Sequence, residues 1–578
     1  MLILSPPRLR QVPLALILAA SLLSACARRP QASRSAATTS VATAAPATQS
    51  PPTASPTPAA AALVTTPPPT QWHLLDPEQD GVIGISAQRA YQELLKGRTA
   101  LPVTVAVIDG GVDTAHVDLK TVLWTNRKEI AGNGKDDDGN GYVDDVYGWN
   151  FLGGPDGRNV NVEAYEDTRL YARLKPLYEG KLRAAVPAAK RAEYDLYQQV
   201  KKSYQKHYQE DHANYDQLKS LYPQMQAVVT QAEQVLGVTR LDTATLRRPN
   251  TTDPDLQRLT QFLYQTLQQT GSPDMESLLD EMKHGYEQTK NLVEYSLDPA
   301  FNPRTIVGDD PSNVKQRIYG NPDVTGPDPL HGTHVAGIIA ADRTNNLGVL
   351  GVAGLPVRIM AVRAVPNGDE RDKDVANAIR YAVDNGAQVI NMSFGKYYSP
   401  YREAVEEAFR YADSKGVLLV HSAGNESNDI DQKNQYPMPR FLDGKAIPNM
   451  ITVGASSRTN DEHLTAEFSN YGKQGVDVFA PGVQIYSTLP HDTYGNESGT
   501  SMAGPMVAGM AAVLKSYFPK LSPEDLKRII RESAVPYHTQ VLKPGSDKTM
   551  IDFAELSNTG GIVNLYRAVQ MAMRQQTQ

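Results

Sequence analysis

Apolar, β-branched runs recur through the second half of the chain, and amphipathic stretches fill the intervals between them. Residues 357–364, 387–393, 416–423, 450–455 and 476–480 read as buried strands, with helices expected near 373–385, 401–415 and 501–518. A further helix starts at Ser522, a capping residue followed by Pro523 at the first helical position and by Glu524 and Asp525 in the first turn. VTVAVID at 103–109 is another such strand, ending in a carboxylate and two glycines. Strands alternating with helices predict an α/β fold with a mostly parallel sheet covered by helices on both faces. Residues 160–296 break that rhythm, with few glycines and a helical pattern rich in Tyr, Gln, Lys, Glu and Leu. Tyr194, Tyr197, Tyr204, Tyr208 and Tyr215 fall mostly three, four or seven apart, on one face of a long helix. Breaks near 236–254 and 270–274 divide the segment into three or four helices, and the tyrosine stripe is read as packing between them rather than as a binding surface.

Chemistry enters through four glycine-rich segments: VAVIDGGVD at 105–113, HGTHVAGI at 331–338, SAGNE at 422–426 and GTSMAGPMVAG at 499–509. They hold Asp109, His331, Asn425 and Ser501. Asp109 ends a strand, where open α/β sheets place their chemistry, and a carboxylate there can hold an imidazole by its Nδ1–H and leave Nε2 as a base. Ser501 opens a helix, where free backbone N–H groups and the positive dipole end favour a developing oxyanion. Asn425 follows the strand GVLLVHSAG at 416–424, and its amide could supply a second donor. Each residue alone has an ordinary reading as a cap, turn or core residue; four in this order and setting do not.

The order Asp, His, Ser and all four segments resemble the subtilisin family, the subtilases. FSNYG at 468–472 and APG at 480–482 add to the match, which covers 101–152 and about 305–535. The resemblance implies a three-layer subtilisin-like fold with an α-helical insert, and a serine endopeptidase working through an acyl-enzyme on Ser501. It makes Asn425 the oxyanion donor and His334 a core residue, and it has Ser393, Phe394 and Gly395 pair with an extended substrate. The alternative is a subtilase-fold protein that binds peptides without cutting them. Three positions depart from the family pattern: Gly110 and Gly504 stand where Ser or Thr is usual, and Met506 replaces a frequent His. They remove hydrogen bonds that steady the site and no reactive group.

NGKDDDGNGYVDD at 133–145 reads as a calcium loop, with Asp136, Asp138, Asn140, the Tyr142 carbonyl and Asp144 at EF-hand-like positions. Tyr147 stands where the bidentate Glu would be, so that ligand must come from elsewhere. At the N-terminus, Arg8 and Arg10 precede the apolar run 12–23, too short for a bilayer span and read as a signal peptide. Leu23 to Cys26 resembles a bacterial lipobox, and Cys26 is the one cysteine among 578 residues, so no disulfide forms within the chain. The expected organisation is a lipoprotein signal at 1–25, an Ala/Thr/Pro-rich tether at 26–70, subtilase segments at 71–159 and 301–578, and the helical insert at 160–300. No folded pro-domain is expected. A 40% hydrophobic content suits a globular mature region, and a net charge of −7 without a basic patch argues against nucleic acid. Polypeptide substrates, an envelope partner for the insert and lipid anchoring in the outer membrane complete the expectation.

Overall fold

The computed structural model describes residues 70–270, 272–354 and 356–576. The signal segment, Cys26 and nearly all of the tether lie outside the described residues. Seven strands carry the centre of one large sheet: β1 (Val103–Asp109), β2 (Gly148–Asn150), β3 (Val357–Arg363), β4 (Val389–Met392), β5 (Leu418–Ser422), β6 (Met450–Ser456) and β7 (Val478–Pro481). From one edge the order is Val535–Pro536, Gly561–Ile562, β7, β6, β5, β4, β1, β3, β2. All neighbours pair in parallel except the two short strands at the first edge, which are antiparallel to each other.

The alternation along β1 shows why the sheet is sandwiched. Val103, Val105 and Val107 enter a cluster with side chains of Leu330–Ala340 and Thr500–Tyr517. Ala106 and Ile108, pointing the other way, join one built from Asp372–Asp384 and Arg402–Ser414. A strand buried on both faces has no polar alternation, which is what its sequence showed. β1 lies between β3 and β4, so the strand order reverses there, the place where open α/β sheets leave a crevice at their carboxyl ends.

Among the described residues two compact units emerge, one running up to Gln205 and resuming at Tyr295, the other Lys206–Glu294. The division falls inside a 46-residue helix, Arg191–Leu236. In the first unit, helix Glu166–Tyr178 and the start of that long helix share a cluster of Leu170, Tyr171, Leu174, Tyr178, Tyr194, Tyr197 and Val200, against which Tyr204 and Tyr398 pack. In the second, Leu221, Met225, Val228, Val229, Leu263, Leu267 and Met282 belong to one core, and Tyr286 stacks at 5.9 Å from Tyr215 and 6.1 Å from Tyr222. Tyr208 is 45% exposed. Of the stripe, Tyr194, Tyr197 and Tyr204 therefore pack in the first unit, while Tyr215 stacks on Tyr286 in the second. Among the described residues, no helix is long and apolar enough to cross a membrane.

Candidate active site

Asp109 closes β1 and is 3% exposed. Its Oδ1 accepts the Gly110 N–H at 2.7 Å, and its two oxygens lie 2.8 and 3.0 Å from His331 Nδ1. His331 is the second residue of helix Leu330–Ala340. The next position has to be glycine for the helix to descend onto the strand. A Cβ on Gly332 would stand 2.1 Å from the Gly111 carbonyl oxygen and 3.0 Å from the Asp109 Cβ. With Nδ1–H on the carboxylate, Nε2 is the basic nitrogen. It is buried without a hydrogen-bond partner among the described residues.

Ser501 is the second residue of helix Thr500–Tyr517 and is 4% exposed. Its Oγ donates to the Ser393 carbonyl at 3.3 Å, and the bond to His331 is not made. Ser393 answers with its own hydroxyl, which donates to the Ser501 carbonyl at 3.1 Å. That carbonyl lacks its usual helical donor because Pro505, four residues on, has no N–H. Asn425 is clasped by the residue before the serine: its Oδ1 accepts from the Thr500 N–H at 2.8 Å and from Thr500 Oγ1 at 2.9 Å. This fixes which end of the amide is the oxygen and turns Nδ2 to the other side. The structure thus joins Asp109 to His331, Ser501 to Ser393, and Asn425 to Ser501 through Thr500.

Phe394 is buried, and its carbonyl lies 3.0 Å from Nε2 of His421, an imidazole that burial lowers to about 4. Gly395 leads into Lys396, whose backbone pairs in both directions with Tyr436 at 3.0 and 2.8 Å. Lys396 Nζ is held by Glu166 at 3.0 Å, Asp372 at 2.8 Å and the Glu370 carbonyl at 2.7 Å. Burial raises the Glu166 carboxyl, but Arg169 and Lys396 outweigh it and hold it at about 2. Burial instead prevails at Asp369 and Glu370, raised to about 6 and about 7. His334 lies 3.2 Å from the Gly495 carbonyl and is lowered by burial to about 3, a core residue.

Sequence reasoning missed two residues next to this site. Arg363 lies beside Asp109 in the β1–β3 register, 1% exposed, and donates to the Gly110 carbonyl at 2.7 Å, to Asn150 Oδ1 at 3.1 Å and to the Val160 carbonyl at 2.5 Å. An arginine closing a strand that is apolar from Ile359 to Val362 was the available signal. Thr500 was passed over because a threonine before a serine at a helix start reads as an ordinary cap.

In the 133–145 loop, carboxylate oxygens of Asp136 and Asp138 come within 4.8 Å of each other and of Glu129, seven residues before Asp136. Glu129 lies outside the EF-hand-like spacing; its Oε1 accepts the Asp137 and Asp138 N–H groups at 2.9 and 3.0 Å. The three half-buried carboxylates offer an all-oxygen donor set of the kind calcium takes, and the Lys128 ammonium stands 4.0 Å from Asp138. Asp144 faces elsewhere, accepting the Asn133 and Gly134 N–H groups at 3.1 and 2.9 Å. The Asn140 amide donates to Asp145 at 3.0 Å while its oxygen accepts the Tyr142 N–H at 2.7 Å.

Residues 102–558 match the subtilase family, peptidase S8. The chain is 41% identical over 215 residues to a thermophilic serine proteinase of Bacillus sp. (strain AK1), covering 34% of this chain and 49% of that protein. It is 39% identical over 246 residues to thermitase of Thermoactinomyces vulgaris, covering 42% and 75%, and 39% identical over 206 residues to the major intracellular serine protease of Bacillus subtilis (strain 168), covering 36% and 60%. The chain spans about half the length of the first of these relatives. A solved protease from Pseudoalteromonas arctica PAMC 21717 shares 28% identity with a TM-score of 0.35, covering 44% of this chain and 78% of that one.

Proposed function

The chain belongs to the subtilase family, and from that premise we propose that it is a membrane-anchored serine endopeptidase with Ser501 as nucleophile. The observation that carries the reading is the Asp109–His331 pair with its unengaged Nε2, set in one unit with a serine whose neighbour Thr500 orients an asparagine amide. Rotation of Ser501 Oγ off the Ser393 carbonyl brings its proton to His331 Nε2 as Oγ bonds to the substrate carbonyl carbon. Asn425 Nδ2 and the Ser501 N–H receive the oxyanion. Collapse breaks the C–N bond, His331 returns the proton to the departing amine, and water repeats the sequence to release the acyl group. Ser393 to Gly395 align the substrate backbone as an added strand.

Calcium held by Glu129, Asp136 and Asp138 stabilises the fold in this account and takes no part in the chemistry. Lipidation of Cys26 anchors the protein in the bacterial envelope, at the outer membrane because Ala27 is not the Asp associated with inner-membrane retention; Cys26→Ser releases it to the soluble fraction, and unchanged membrane association of that variant refutes the anchor. The helical segment governs access or partner choice. Hydrolysis of unfolded casein tests the core proposal: the native chain cuts it and Ser501→Ala does not. A folded native chain that binds casein and leaves it intact is instead a subtilase-fold peptide binder.

A further inference from the structure

We propose that Ser422 is a positioning residue for the oxyanion site, and that Gly504 is the space it requires; this rests on the serine-protease reading above. Ser422 ends β5 and is 4% exposed. Its Oγ donates to the Thr500 carbonyl at 2.8 Å. That carbonyl and the Ser501 N–H are the two ends of one planar peptide group, so anchoring the oxygen sets the direction of the N–H that meets the oxyanion. The same strand end holds Thr500 from its other side, where Asn425 takes its N–H and its hydroxyl. One short stretch, 422–425, therefore aims both oxyanion donors through a single residue.

Gly504 completes the arrangement. A serine or threonine inside a helix turns its hydroxyl onto the carbonyl three or four residues back, and four back from 504 is Thr500. A hydroxyl carried by the helix would thus reach the acceptor that Ser422 now holds from the sheet. Both do not fit. A Cβ on Gly504 would stand 2.7 Å from Ser422 Oγ, with Asn391 Oδ1 at 3.5 Å and Ser393 Oγ at 3.6 Å. The missing hydroxyl at 504 is a relocation of the anchor across the helix–sheet contact.

The test is a swap in the full chain, with kcat, KM and the inhibition constant of a peptide aldehyde measured on a small chromogenic substrate. Ser422→Ala lowers kcat about three- to tenfold, the worth of one intramolecular hydrogen bond, at unchanged KM. It weakens the aldehyde, whose adduct carries an oxyanion, by the same factor. Gly504→Ser alone collides with Ser422 and is also impaired. The double variant Ser422→Ala/Gly504→Ser returns to within about twofold of the native kcat, because the hydroxyl again reaches Thr500. Native kcat and aldehyde affinity in Ser422→Ala overturn the proposal, as does a folded double variant no better than the worse single one. The double variant decides the matter even if Ser422→Ala does not fold. A native chain that hydrolyses nothing fails at the earlier step, the protease reading itself.

Discussion

Around Ser501 the first unit buries polar groups: Asp109, Asn391, Ser393, Ser422, Thr500 and Ser501 are each at most 4% exposed, and hydrogen bonds tie them to one another or to His331. In Lys206–Glu294 the core is instead aliphatic, with Leu221, Val228, Leu263, Leu267 and Met282 at its centre. Its buried threonines Thr260 and Thr266 turn their hydroxyls onto carbonyls of their own helix. A buried polar group without the right partner is costly, so the first arrangement tolerates few sequences and each of its residues carries information. Aliphatic packing tolerates many sequences of similar volume and says little about purpose. Chemistry is therefore readable in the first unit, and in the second only architecture is.

If the contrast holds, every large effect belongs to the first unit. The largest expected among the remaining tests is Asn425→Ala, which should lower kcat about 10²–10³-fold at little cost in KM, a magnitude borrowed from the equivalent donor in subtilisin. Unchanged kcat would mean that the clasp by Thr500 serves packing alone. Next is calcium. Excess ion at a hundred times its Kd should add roughly 2.7 kcal/mol, so EDTA and Asp138→Ala should each lower Tm. A Tm indifferent to both would reduce the Glu129 cluster to a capped turn.

Acid should find the first unit through its buried imidazoles. His421 sits at about 4 because burial outweighs the Phe394 carbonyl, below the ordinary histidine value of 6.5. A depressed value means that its contribution is whole above 6.5 and is lost as pH falls toward 4. Within that window it steepens the loss of stability by about 1.4 kcal/mol per pH unit. His421→Gln keeps a donor for Phe394 and should flatten the stability–pH curve by that slope in denaturant titrations; an unaltered slope would show that His421 takes up its proton at the same pH whether the chain is folded or unfolded. The smallest expected effect is on the other side of the comparison. Tyr204 Oη donates to the Leu297 carbonyl at 3.2 Å within the first unit, so a short linker can replace 206–294. Small-peptide kcat/KM should stay within about threefold while cleavage of bulky proteins changes. Loss of small-peptide turnover in a folded deletion variant would erase the distinction between the units.

Much of the first unit was legible for a physical reason. A strand buried on both faces is apolar along most of its length, which located β1, β3, β5 and β6 within a residue or two, and the candidate catalytic groups at strand ends stand out against such runs. The helix breaks near 236–254 and 270–274 were legible too, since helices Arg191–Leu236, Pro254–Thr270 and Met275–Asn291 end and begin there. What stayed hidden was partnership across distance. Glu129 lies outside the Asp136–Asp144 spacing, and no spacing states that Asp144, at φ +56°, turns its carboxylate onto Asn133 and Gly134. Arg363 gave no sign that it would grip the Gly110 carbonyl from the neighbouring strand. The boundary at Gln205 was invisible because it falls within one continuous helix.

The central claim, that the first unit holds a serine activated by the Asp109–His331 pair, is tested most directly by fluorophosphonate labelling followed by peptide mass spectrometry. The label should appear on Ser501 in the native chain, at a rate that falls by orders of magnitude in His331→Ala. A folded native chain that remains unlabelled at Ser501, or one labelled equally fast without His331, would contradict it.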